Sequence, residues 1–162
     1  MTPRLAAFST AVFIFLLDRV TKVLVDDKLG AWDTIPIIPG VFNLVHTENP
    51  GAAFSMLAQA PEQLRRFFLI GVSSIVMLIL VALIWRLPQG TATINWIALG
   101  LILGGALGNL YDRALRGAVT DFLQVFLGSY EWPSFNVADS AISVGACLIL
   151  LDMWIGRPRH VS

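Results

Sequence analysis

Two aspartates are the strongest candidates for chemistry, because each lies beside a segment apolar enough to enter a membrane. Asp121 follows the third apolar segment of the chain, and Asp139 begins the fourth, in what we predict to be the first turn of a helix. Two carboxyl groups held close together cannot both ionise and therefore share one proton. Such a pair can activate water with one carboxylate and polarise a carbonyl with the other acid. The sequence alone does not bring the two side chains together.

A second pair of charges, Asp18 and Lys22, lies at the end of the first apolar segment. The two residues are four apart, so in a helix they share one face, with the acid on the favourable N-terminal side. Charges beside a membrane segment indicate either a functional site or a buried ion pair. We predict an ion pair that stabilises the end of this helix.

The third apolar segment carries a line of small and polar residues. If the helix continues past residue 110, Gly105, Asn109, Asp112 and Arg116 share a face. Asn109 lies deep in apolar sequence and must find a hydrogen-bond partner. Arg113 offers a planar fork of donors for a carbonyl or a carboxylate. Both a packing role and a site role stay open for this cluster.

These residues must be positioned by membrane helices, because 56% of the 162 residues are hydrophobic and only 14% are charged. Soluble domains have about 25% charged residues. We predict an all-α membrane protein, a single domain over residues 1–162, with both termini on one side. Long loops over about 26–64 and 111–135 then fall on the other side. A spanning helix needs about 20 mostly apolar residues, and we predict four, over about residues 5–25, 67–85, 94–110 and 137–155.

The first helix is predicted to be retained, since charges follow it directly and no small-residue cleavage site of a signal peptide is present. Gly100, Gly104 and Gly108 are spaced four apart and predict close helix packing, within one chain or between chains, so the oligomeric state stays open.

An even number of spans puts both termini on one side of the membrane. Ten of the eleven acids then lie on the other side, that of the two long loops, or in helix ends that open toward it. Lys and Arg do not decide which side is cytoplasmic, because seven lie on the loop side and four on the side of the termini. Residues 41–45 in the first long loop are β-like, and we predict a small platform there that rests on the membrane, with Trp32 and Trp132 as interfacial anchors.

Metal, cofactor and nucleic-acid sites are not predicted. The single Cys147 lies in an apolar run and is predicted to be a small core residue. His46 and His160 are too few for a zinc site, and His46 is predicted to be polar surface. A net charge of zero gives no reason to expect nucleic acid.

Four motifs together resemble those of the lipoprotein signal peptidases, also called signal peptidase II. They are Asp-Arg-Val-Thr-Lys at 18–22, Asn-Pro-Gly-Ala-Ala-Phe-Ser at 49–55, a glycine-rich motif at 104–113 continued by Gly-Ala-Val-Thr-Asp-Phe at 117–122, and Phe-Asn-Val-Ala-Asp-Ser-Ala-Ile at 135–142. They occur in order over nearly the whole chain.

The resemblance implies a bacterial inner-membrane aspartyl peptidase with both termini cytoplasmic and its active site near the extracytoplasmic face. It implies diacylglyceryl-prolipoprotein substrates cut before the lipidated cysteine, contact with membrane lipids, inhibition by globomycin-type peptide antibiotics, and no cofactor. Its site residues would be Asp121 and Asp139 as the catalytic pair. Asn49 and Arg113 would contact the substrate. Residues that line or support the site would be Asn109, Asn136, Asp112, Asp18, Lys22 and Gly105.

Two other functions fit a small membrane protein. A proton-coupled four-helix transporter would favour an acid at the membrane midplane and short loops. A scaffold packed through its glycines would need neither aspartate. The acids at one interface and the long loop favour the peptidase.

Overall fold

The computed structural model describes residues 2–51 and 61–155, and these form four helices and one sheet. The helices lie where the apolar segments predict them, but three are longer than expected. The third continues for another turn past residue 110, so Gly105, Asn109 and Asp112 do belong to one helix, and Arg116 is its C-cap. The helices are α1 (Pro3–Lys28), α2 (Glu62–Arg86), α3 (Thr93–Leu115) and α4 (Val137–Ile155).

Three of the described helices, α2, α3 and α4, are long and apolar enough to cross a membrane. The prediction of four spans is therefore met in part. Helix α1 has the length, but Asp18, Arg19 and Lys22 interrupt its apolar stretch.

The sheet differs from the predicted platform in having strands from both long loops. Its four antiparallel strands lie in chain order, β1 (Thr34–Ile38), β2 (Phe42–Asn49), β3 (Val119–Leu127) and β4 (Tyr130–Phe135). The predicted platform is confirmed in part, because residues 42–45 of its β-like stretch lie in β2 of the first long loop, while the second long loop supplies β3 and β4. β3 is rich in β-branched and aromatic residues and is followed by Gly128, whose φ of 66° suits a tight turn. That pattern was available in the sequence.

Helix α3 lies against the three other helices, and its glycines let α1 and α4 approach it closely. A Cβ on Gly100 or Gly104 would meet a backbone carbonyl of α1, that of Ala7 or Ala11. The predicted close packing thus occurs within the chain. A small buried core lies among α1, α2 and α3 and includes Trp96.

The outer faces of the helices are apolar and exposed, as a lipid environment requires. Phe67 and Leu78 of α2 are 74% and 66% exposed. Cys147 is exposed on α4, so the prediction that it lies in the core was wrong. A helix surrounded by lipid can place apolar residues on every face, and hydrophobicity then does not indicate burial.

Candidate active site

Asp121 is buried on the central strand β3, with only 3% of its surface exposed. Its Oδ1 accepts a hydrogen bond from Nδ2 of Asn136 at 2.7 Å, and its Oδ2 accepts one from Nδ2 of Asn49 at 3.0 Å. Its backbone carbonyl accepts a third from Oγ1 of Thr47 at 3.1 Å. The carboxyl group is therefore held from β2 and from the start of α4.

Asp139 lies in the first turn of α4, where it forms a reciprocal cap with Asn136. The backbone N–H of Asp139 donates to Oδ1 of Asn136 at 2.9 Å, and the N–H of Asn136 donates to Oδ2 of Asp139 at 3.3 Å. This is the geometry of a capping box, which satisfies N–H groups that a helix start leaves unpaired. The other carboxylate oxygen, Oδ1, accepts from Nδ2 of Asn109 at 2.7 Å.

The side chain of Asn136 joins the two aspartates. Its Nδ2 is bonded to the carboxyl of Asp121, and its Oδ1 is bonded to the N–H of Asp139. It is fully buried at the entrance to α4. One side chain thus bonds to the carboxyl group of Asp121 and to the backbone of Asp139, although the two aspartates are 18 residues apart in the sequence.

Burial raises the pKa of Asp121 to about 6 from the ordinary 3.8. The hydrogen bond from Asn49 opposes this rise, the nearby charge of Asp139 adds to it, and the hydrogen bond from Asn136 and the charge of Lys22 oppose it. A carboxyl group in this environment holds a proton more readily than one in water.

A buried ion cluster lies directly beneath the pair. Nζ of Lys22 lies 2.9 Å from Oδ2 of Asp18 and 2.7 Å from Oδ2 of Asp112, and all three residues are fully buried. The same ammonium donates to Oδ1 of Asn109 at 3.2 Å. Because this bond holds the oxygen of the Asn109 amide toward Lys22, the Nδ2 end of the amide faces Asp139. The cluster therefore orients the site as well as neutralising its own charges.

Helix α4 is placed by two close contacts at its start. Oδ1 of Asp18 accepts a hydrogen bond from the N–H of Ala138 at 3.1 Å. On α3, a Cβ at Gly105 would meet the carbonyl of Ala138. Gly105 is thus needed for α4 to approach α3 at the level of Asp139.

Arg113 is half-buried at the end of α3 and forms no ion pair with any of the described carboxylates. Its buried Nε has no hydrogen-bond partner among residues 2–51 and 61–155. Its charge acts on both Asp139 and Asp121. Asp112, its neighbour in sequence, is instead bonded to Lys22 and Arg19.

The family model that describes signal peptidase (SPase) II matches residues 10–155, which is most of the chain. This chain belongs to the signal peptidase II family. Proteins of similar sequence that bear the name lipoprotein signal peptidase include one from Solibacter usitatus, 43% identical over 157 residues, which covers 97% of this chain and 94% of the relative. One from Desulforapulum autotrophicum is 46% identical, with 88% and 86% covered.

Solved structures similar to this signal peptidase II chain are those of bacterial membrane enzymes. One, determined in meso at 1.9 Å, has a TM-score of 0.80 and 30% identity, with 91% of each chain covered. Another, at 2.3 Å, has a TM-score of 0.80 and 29% identity, with 96% of this chain and 94% of the other covered. The fold is thus that of a membrane enzyme.

The predicted site residues of this signal peptidase II chain that the structure describes all lie around the two aspartates. Part of the motif at 49–55, from residue 52 onward, and His160 lie outside the described residues. Within them, no group of three or more His, Cys, Asp or Glu is arranged to hold a metal.

Several side chains near the site were not predicted to belong to it. Nη1 of Arg19 pairs with Oδ1 of Asp112 at 2.7 Å, and its guanidinium lies over the ring of Tyr111. His46, predicted to be polar surface, is half-buried against α1. These contacts join residues far apart in the chain, and no local pattern indicates them.

Proposed function

We propose that this chain is an aspartic-type lipoprotein signal peptidase. It removes the signal peptide from diacylglyceryl-modified prolipoproteins, cutting the peptide bond before the lipidated cysteine. The observation that carries the proposal is that the side chain of Asn136 bonds both to the carboxyl group of Asp121 and to the backbone N–H of Asp139, in a chain of the signal peptidase II family. Nothing in the comparisons or in this geometry favours the transporter alternative.

In the proposed mechanism, Asp121 holds the proton that the pair shares, because burial raises its pKa to about 6. Asp139 is the ionised partner. The donors on its carboxylate and the N-terminus of α4 stabilise negative charge there. Asp139 then takes a proton from the attacking water while Asp121 donates a hydrogen bond to the scissile carbonyl. When the amine leaves, the proton passes to it from Asp139.

The remaining site residues have supporting roles in this mechanism. Asn49 and Arg113 contact the substrate, and the Nε of Arg113, which has no partner among the described residues, is a donor for a substrate carbonyl. Asn109 holds the carboxylate of Asp139, while Lys22 holds Asn109 in the orientation that this requires. No cofactor takes part.

In the membrane, we propose that α1 is a fourth span. The charges in its C-terminal half do not prevent this, because Asp18 and Lys22 are fully buried and paired with each other, and paired charges inside a bundle are tolerated in lipid. Both termini then lie in the cytoplasm, and the sheet and the two aspartates lie at the extracytoplasmic face of the bacterial inner membrane. Globomycin-type peptides would bind at the same site.

The test is cleavage of a purified, lipidated prolipoprotein by Asp121→Asn and Asp139→Asn variants in detergent, followed by mass spectrometry. Each substitution removes one proton-transfer group, so turnover should fall by about a thousandfold or more. Both variants should elute and melt as folded proteins. Near-wild-type turnover in either one would defeat the proposed pair.

A further inference from the structure

Asp26, near the end of α1, holds the sheet through its carboxyl group. Its Oδ1 accepts a hydrogen bond from Oγ1 of Thr120 at 3.4 Å and lies 3.4 Å from Nε2 of His46. Its Oδ2 pairs with the guanidinium of Arg116, the residue that caps the C-terminus of α3. One carboxylate therefore joins α1 to the end of α3 and to strands β2 and β3.

His46 is placed for this contact by an irregularity in the sheet. The pairing of β2 with β3 shifts register between Leu44 and Thr47, and His46 lies within the shift. Bulges of this kind redirect side chains and are frequent beside active sites. Nδ1 of His46 bonds to the carbonyl of Leu29 at 2.9 Å, which holds the other ring nitrogen against Asp26.

Asp26 and Asp18 make corresponding contacts from the same helix. Asp18 accepts a hydrogen bond from the N–H of Ala138, the residue before Asp139. Asp26 accepts one from Thr120, the residue before the other aspartate of the proposed pair. The two α1 carboxylates are eight residues apart, which is about 12 Å along a helix.

We propose that α1 is a template that sets the separation of the two carboxyl groups of the pair, with Asp26 as the positioning residue for Asp121. The inference rests on the proposed function, since it assumes that Asp121 and Asp139 are catalytic. Asp121 lies on the sheet and Asp139 on the helix bundle, so any rocking of the sheet on the bundle changes their separation. Sharing a proton requires that this separation be kept. Asp26 prevents this rocking because it bonds to Thr120, the residue next to Asp121 on β3.

The experiment measures kcat, KM and melting temperature of the full chain in detergent with a lipidated precursor. Asp26→Ala should lower kcat about tenfold or more, since a misplacement of about 1 Å can cost about a hundredfold, with KM unchanged. Thr120→Val, which keeps the shape and loses the hydroxyl, should also lower kcat, and Thr120→Ser should restore it. The matched control is Asp27→Ala, because Asp27 is the exposed neighbour of Asp26 and forms no ion pair with the described residues. It should behave as wild type.

Thr120→Val and Thr120→Ser decide the question if Asp26→Ala does not fold. Equal kcat for these two variants, or a rise in KM in place of a fall in kcat, would overturn the template. The proposed function fails separately: it is defeated by an active Asp121→Asn. An inactive Asp121→Asn together with full kcat in the Asp26 and Thr120 variants would defeat only the template.

Discussion

At the scale of single residues, the amide of Asn136 links Asp121 to the start of the helix that carries Asp139. It donates to one carboxyl group and caps the helix that carries the other. Its oxygen and nitrogen have different partners, so an aspartate or a leucine of similar size cannot replace it. The pattern Asn-x-x-Asp at the start of α4 is a capping signal that the sequence contains. The contact with Asp121 has no such signal, because it joins a strand to a helix.

The raised pKa of Asp121 predicts a pH-dependent stability. In the unfolded chain this group ionises near 3.8, and in the folded protein at about 6. Between these values the folded state binds more protons, so the free energy of unfolding falls as the pH rises. Relative to Asp121→Asn, which does not titrate, wild type should lose up to about 3 kcal/mol between pH 4 and pH 7.

Melting temperatures of wild type and Asp121→Asn, measured in the same detergent from pH 4 to pH 7, check this. The difference between the two proteins should shift in favour of the variant as the pH rises, and should level off above the folded pKa. A difference that stays constant over the whole range contradicts the raised pKa.

At the scale of elements, α3 organises the site because small residues let its neighbours approach it. The glycine spacing predicted this packing, and the helix period predicted the shared face of Asn109 and Asp112. The two strands of the second long loop were not predicted. The β-branched and aromatic residues of β3 favour a strand, but its first four residues, Val-Thr-Asp-Phe at 119–122, do not alternate between apolar and polar as a half-buried strand does. Strand pairing between the two loops depends on tertiary contacts, which sequence spacing does not show.

Gly105 gives the prediction that belongs to this scale. In Gly105→Ala the new Cβ meets the carbonyl of Ala138, so α4 must move at the level of Asp139. Overpacking of this kind costs about 1–3 kcal/mol, and activity should fall more than stability alone explains. The matched control is Gly71→Ala on α2, where a Cβ meets nothing within 4 Å.

The test compares the melting temperature and kcat of Gly105→Ala and Gly71→Ala with those of wild type. Gly71→Ala should keep full activity and gain up to about 1 kcal/mol from helix propensity. If Gly105→Ala melted and turned over like Gly71→Ala, the close approach of α3 and α4 would not matter for the site.

At the scale of the whole molecule, the polar chemistry lies at one end of an apolar bundle. The parity of the helices indicated this one-sidedness, whereas the count of Lys and Arg did not give the orientation. The structure explains why that count was uninformative. Arg19, Lys22 and Arg116, all on the loop side, are paired with carboxylates. Because their charges are used in pairs within the protein, these three residues give no information on the orientation in the membrane.

The position of the site predicts that the diacylglyceryl group of the substrate acts by placing the scissile bond. In the proposed orientation, its acyl chains hold the modified cysteine at the membrane surface, level with Asp121 on the sheet and Asp139 at the start of α4. An unlipidated precursor is anchored only by its signal helix and slides and rotates, so a reactive geometry is rare. Contact of the acyl chains with the helices adds little, because lipid already solvates them. Loss of positioning should lower kcat/KM by about a hundredfold or more. The measurement compares precursors with and without the lipid in one membrane mimetic, and equal kcat/KM for the two would show that the lipid does not position the bond.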